Sequence, residues 1–170
     1  MSDLDLRFFA LGAPRGKQRP RMARRGRKTI TYTPQETLEY ERRIREAFLL
    51  ASLHDQLPLR GPLWVDVIAI FPRTKALSFR YKNGTYKHST SRILHAVKPD
   101  EDNIRKCVLD GINDYIEGGD SRVVGGTTLK VYASIDEECG TLVRVRNAES
   151  LEALGALYDF GWGAGSIDAP

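Results

Sequence analysis

The chain has 170 residues, 41% of them hydrophobic, enough for one domain around a single core and too few for several. It has no apolar run of about 18 residues, and MSDLDLRFF does not read as a signal peptide, which points to a cytoplasmic protein with no membrane partner. Cys107 and Cys139, with only three histidines, do not make a disulfide scaffold or a zinc module, and 26 basic against 22 acidic residues leave a polyanionic partner open.

In chain order, Leu6 to Leu11 reads as a strand. Arg15 to Lys28 (RGKQRPRMARRGRK) follows with eight basic residues and no acid; the other 18 Lys and Arg are outnumbered by the 22 acids, so the whole positive excess lies here. Pro34 to about Leu53 reads as a helix with Tyr40, Ile44, Ala47 and Phe48 on its apolar stripe, and Leu63 to Phe71 alternates as a strand on which Asp66 reads as edge-facing. Pro72 to Val97 is expected to be a hairpin or long loop that turns at Asn83-Gly84, between Phe79–Lys82 and Thr85–Lys87. From Val67 to Pro99 there is again no acid, while Arg73, Lys75, Arg80, Lys82, Lys87, Arg92 and Lys98 are basic. A helix is expected to start beside Pro99, and Leu129–Ile135 and Thr141–Arg146 are expected to form a hairpin around Asp136–Gly140. The chain thus reads as an α+β domain, a mixed sheet with two main helices over residues 1–154, followed by a glycine-rich tail over 155–170.

The informative stretch is KPDEDNIRKCVLD, Lys98 to Asp110. At about 100° per residue, Asp102, Lys106 and Asp110 fall within about 80° of one another on a helix, while Ile104, Val108 and Ile112 lie on the far side. Asp100 sits just ahead of the helix start, where its carboxylate points at the same spot as that of Asp102. Hard cations such as Mg²⁺ take oxygen ligands and are commonly held by one or two carboxylates, with waters and substrate phosphates completing the shell. Aspartates four residues from a lysine also form solvated ion pairs of little consequence. Here two basic intervals flank the carboxylates, as is needed to draw a phosphate backbone toward a metal.

These residues resemble a known family. KPDEDNIRKCVLDGIN followed by GGDSRVV is similar to the signature of RusA-type endodeoxyribonucleases, Holliday-junction resolvases common in phages and prophages, and GAPRGKQRPRMARRG and TYTPQETLEYERRIREA are similar to that family's opening strand, basic loop and helix entry. The resemblance covers about Phe8 to Arg146. It implies a RusA-like fold and a Mg²⁺-dependent endonuclease, with Mn²⁺ as a substitute, that cuts four-way junctions symmetrically as a homodimer in a bacterial or phage-infected cell. It places Asp100, Asp102 and Asp120 at the family's metal ligands and Lys106 at its essential lysine, while Asp110 is either an outer residue or a partner for Lys106. Gly119 departs from the adjacent pair of aspartates often found before the Ser. Beside carboxylates, Lys106 reads as a fixed positive charge for the transition state rather than a base. Lys17, Arg19, Arg21, Arg24, Arg25, Arg27 and Lys98 are the expected contacts to DNA phosphates. The alternatives are a noncatalytic branched-DNA-binding protein that keeps the fold, with Gly119 a symptom of absent activity, and an RNA-directed or structural module. The nuclease reading requires the carboxylates of Asp100, Asp102 and Asp120 to meet around one ion, and a structure that holds Asp120 far from the other two, with no room for an ion among them, counts against it.

Overall fold

A computed structural model of the chain describes residues 4–26, 28–52 and 57–148. Its main sheet is mixed and six-stranded, built from β1 (Asp5–Leu11), β4 (Leu63–Phe71), β5 (Ile93–Leu94), β6 (Val123–Gly125), β7 (Thr128–Tyr132) and β8 (Gly140–Asn147), in the order β1-β8-β4-β7-β5, with β6 beside the start of β4. β8 runs antiparallel to both β1 and β4, whereas β7 and β6 run parallel to β4. A separate two-stranded ribbon is formed by β2 (Arg21–Arg25) and β3 (Lys28–Tyr32). The expected tail over 155–170 lies outside the described residues, as does Leu53, and no helix among the described residues is long and apolar enough to cross a membrane.

Helices α1 (Gln35–Ala51) and α2 (Glu101–Ile112) cover one face of the sheet. Alternation turns Leu6, Phe8 and Ala10 of β1 and Leu63, Val65 and Val67 of β4 toward them. From the helices come Tyr40, Ile44 and Phe48, at four-residue spacing, and Ile104, Cys107, Val108 and Ile112. Phe48 meets Phe8 edge-on at 5.7 Å between ring centroids and Tyr115 at 5.5 Å. The buried Tyr40 hydroxyl is satisfied by Thr141 Oγ1 at 2.7 Å. Cys107 packs along α2 as expected, and burial pushes its thiol up to about 12, which makes it inert.

The expected hairpin of the last two strands does not form. β4 lies between β7 and β8, because β4 carries apolar side chains on both faces and is the natural centre of the sheet. On the face away from the helices, Asp66 accepts hydrogen bonds from Trp64 Nε1 (2.9 Å), the Thr127 amide (2.9 Å) and hydroxyl (2.8 Å), and Arg146 (3.2 Å). Burial pushes its carboxyl up, but these donors more than offset that and hold it below the usual range. Asp66 is therefore a sheet staple. Because the shift is downward, its contribution is complete above the unfolded value of 3.8 and fades as pH falls from there toward the depressed folded value. Asp66→Asn should lower the Tm at pH 7, with the difference from the parent chain shrinking in thermal melts at pH 3.

Candidate metal and nucleic-acid site

The site lies at the start of α2, beyond β5. Pro99 precedes α2, and Asp100 is its N-cap residue, with extended backbone (φ −69°, ψ 149°) and no capping hydrogen bond from its side chain. A carboxylate there gains from the partial positive charge of the helix start even without a formed cap. Asp102, in the first turn, pairs with Lys106 Nζ at 3.1 Å, and both side chains are more than half exposed. Among the described residues the Asp100 carboxylate has no hydrogen-bond or ion-pair partner. Both carboxylates therefore face solvent with oxygens free to be shared.

Opposite them runs the basic segment. Arg15 to Gln18 and Lys98 to Asp100 line one open groove of about 630 Å³, together with Phe71, Pro72 and Asn103. The walls are locked together: the Lys17 amide donates to the Asn103 carbonyl at 2.9 Å, and a Cβ on Gly16 would lie 2.7 Å from Pro99 Cβ. Only glycine permits that approach.

Within this segment the expected phosphate contacts divide. Lys17 hydrogen-bonds Asp110 and lies 4.0 Å from Glu41, so it ties the basic loop to both helices. The bond to Asp110 holds its ammonium above the ordinary lysine value, against the opposing effect of partial burial. Asp110 is thus the partner of Lys17 and not of Lys106, a pairing across 93 residues that no local spacing signals. Arg19, Arg21, Arg24 and Lys98 are exposed. Arg21, Arg24 and Arg25 lie on the β2–β3 ribbon, in register with Tyr32, Thr29 and Lys28, so the basic loop is in part a strand pair. Arg27 lies outside the described residues.

Asp120 is elsewhere. Its amide donates to Asn113 Oδ1 at 2.8 Å, and Asn113 is the C-cap of α2, whereas Asp100 is the N-cap. A 12-residue helix is about 18 Å long. The sheet agrees: Val123, three residues past Asp120, pairs with Leu63 at the start of β4, whereas Asp100 shares its groove with Phe71 at the end of β4. One copy of the chain therefore holds Asp120 at the far end of α2 from Asp100 and Asp102, and among the described residues no three His, Cys, Asp or Glu side chains form a metal-holding group. This corrects the expectation that the three carboxylates converge within a single chain. Gly119 has a backbone reason to be there: its φ is +70°, and with Gly118 at +86° it makes the turn that presents Asp120 to solvent.

One contributor carries no local signal. Lys130, on β7, donates to the carbonyls of Val97 and Pro99, both at 2.8 Å, and so holds the residues that lead into Asp100. Lys130→Met should release this approach to Asp100 with the Tm little changed; faster amide hydrogen exchange in residues 97–103 beside an unaltered melt checks this.

The structure is thus an α+β domain with exposed aspartates at the start of α2, Asp100 among them in the wall of a groove that Arg15, Lys17 and Lys98 also line. The family model for endodeoxyribonuclease RusA matches residues 12–146, and the chain belongs to that family. It is also 30% identical over 146 residues to the uncharacterized protein YqaN of Bacillus subtilis (strain 168), which covers 85% of this chain and 98% of that protein.

Proposed function

We propose that the protein is a Mg²⁺-dependent endonuclease that resolves four-way DNA junctions as a symmetric homodimer. The observation that supports this most is the groove in which Arg15–Gln18 faces Lys98–Asp100, placing basic side chains beside the exposed Asp100 carboxylate. Asp100 and Asp102 supply the oxygen donors that a hard cation prefers, and two carboxylates are the usual protein share of such a site. The third ligand, Asp120, is then that of the partner subunit. In a two-fold dimer whose copies run head to tail along α2, the far end of one helix lies beside the start of the other, and each of two sites is completed by the second chain. A junction is itself two-fold, so two such sites suit paired cuts.

Bound there, Mg²⁺ would neutralise a nonbridging phosphate oxygen and acidify the attacking water. Lys106, which pairs with Asp102 at 3.1 Å, would add a fixed positive charge beside the phosphate. Arg19, Arg21 and Arg24, with Arg25, Arg27 and Lys98, hold the strand by its phosphates without reading bases. Every cationic side chain that neutralises a phosphate contributes about 0.9 to the salt slope of binding. Neutralising Arg21 and Arg24 should therefore weaken junction binding and flatten its dependence on salt by about two, as read by titration between low and physiological ionic strength.

The function is tested by incubating the purified protein with a synthetic four-way junction, with and without Mg²⁺. Symmetric nicks that require the metal support it. The separation of Asp120 from Asp100 within one copy favours a second reading, a branched-DNA-binding protein without catalysis. Binding without nicking in either Mg²⁺ or Mn²⁺ would establish that reading.

A further inference from the structure

Between β4 and α2 the chain makes a basic excursion from Pro72 to Val97, and its build is more ordered than a loop requires. Arg73 anchors its root by donating to the carbonyls of Ala133 (2.6 Å), Leu77 (3.3 Å), Ser89 (2.6 Å) and Ser91 (2.7 Å). Arg92 clamps the returning arm to Glu137 through Nε at 3.0 Å. At the tip, the Tyr81 amide reaches the Thr85 carbonyl at 2.8 Å and the Lys87 amide reaches the Phe79 carbonyl at 2.9 Å, while Asn83 Oδ1 takes the Thr85 hydroxyl at 2.7 Å. Arg80 lies over the ring of Tyr86, 5.5 Å from its centroid.

This scaffold holds two aromatic rings in water. Phe79 is 50% exposed and Tyr81 48%, with centroids 5.3 Å apart and planes at 88°. The edge-to-face contact fixes the two rings relative to each other and leaves about half of each in solvent. A tip this small has no core for the rings to fill. Lys75, Lys82 and Lys87 belong to the same excursion, which has no acid of its own between Val67 and Pro99; Asp136 and Glu137 approach it only on the side of Ser78 and Tyr86. Fixed aromatic rings amid positive charge are what sequence-tolerant binding of unpaired nucleobases requires, since every base has a π-face and every nucleotide a phosphate. A continuous duplex hides its base faces, whereas a branch point exposes them. Both roots of the excursion, at Pro72 and Lys98, line the groove that contains Asp100.

We propose that Phe79 and Tyr81 form a stacking platform for an unpaired nucleobase at the branch point, with Lys82 and Lys87 on the adjoining phosphates. This rests on the branched-DNA reading and adds a specificity element to it. The test uses the whole chain in EDTA, so that no cutting occurs, with a fork carrying 2-aminopurine at an unpaired position and a linear duplex of matched sequence. The parent protein should quench the probe on binding the fork. Phe79→Ala with Tyr81→Ala should remove the quench and weaken fork binding about 10-fold to 100-fold, with duplex affinity unchanged; Phe79→Tyr with Tyr81→Phe should restore both. An unchanged quench, or equal losses on fork and duplex, would overturn the platform. Dissociation of a dimer by the double alanine variant in sedimentation would instead assign the rings to a protein contact. Selective fork binding with quench but no nicking in Mg²⁺ refutes the nuclease alone, and nicking with an unchanged quench refutes the platform alone.

Discussion

Asp102→Asn should reduce nicking of a four-way junction about 1000-fold while leaving junction binding in EDTA nearly unchanged. The size follows from what a carboxylate does for a cation: it fixes the ion that offsets several kcal/mol of developing charge, and each 1.36 kcal/mol is tenfold in rate. Asparagine keeps the shape and one oxygen but loses the charge that holds the ion. The retained binding follows from placement, since Asp102 is an exposed first-turn residue that, among the described residues, pairs only with Lys106 and is not part of the core. Removing it leaves the helix start, the groove and the cationic ribbon in place. If binding fell in parallel with cleavage, Asp102 would be part of the DNA-holding surface and not of a metal site.

Asp120→Asn should have an effect of the same order, for a reason a single copy of the chain does not supply. It is exposed at the far end of α2, presented by a glycine turn and held by its backbone, the amide donating to Asn113 Oδ1 and the carbonyl accepting from the Val123 amide. Such an aspartate, in isolation, is dispensable for stability, and its replacement should leave the Tm unchanged. A loss of cleavage without a loss of stability therefore separates a ligand contributed across a dimer from an idle surface residue.

Much of this was legible in the sequence. The strand Leu63–Phe71 is read to the residue because its β-branched run and alternation are bounded sharply, and α2 is read because its apolar positions recur at helical spacing behind a proline and two aspartates. The Asn83-Gly84 turn is likewise local chemistry. The β2–β3 ribbon was hidden because arginine occupies three of the five positions of β2, so charge masks the alternation that β3, KTITY, pairs with. The supposed pairing of the last two strands failed because a turn between them says nothing about a third strand, β4, entering from about 60 residues earlier. Lys17 and Asp110, and Lys130 beneath Pro99, are long-range pairings decided by the tertiary fold. The family resemblance named Asp100, Asp102 and Asp120 as one set, but it carried no information on which copy of the chain supplies each.

The most direct test of that question mixes two inactive variants. If Asp120 acts on the partner's Asp100 and Asp102, a heterodimer of Asp102→Asn with Asp120→Asn contains one site with both substitutions and one with neither. Co-refolded variants should then recover nicking, confined to one strand per junction, although each variant alone is inactive. A mixture that forms heterodimers and binds the junction yet stays inactive would contradict the shared site.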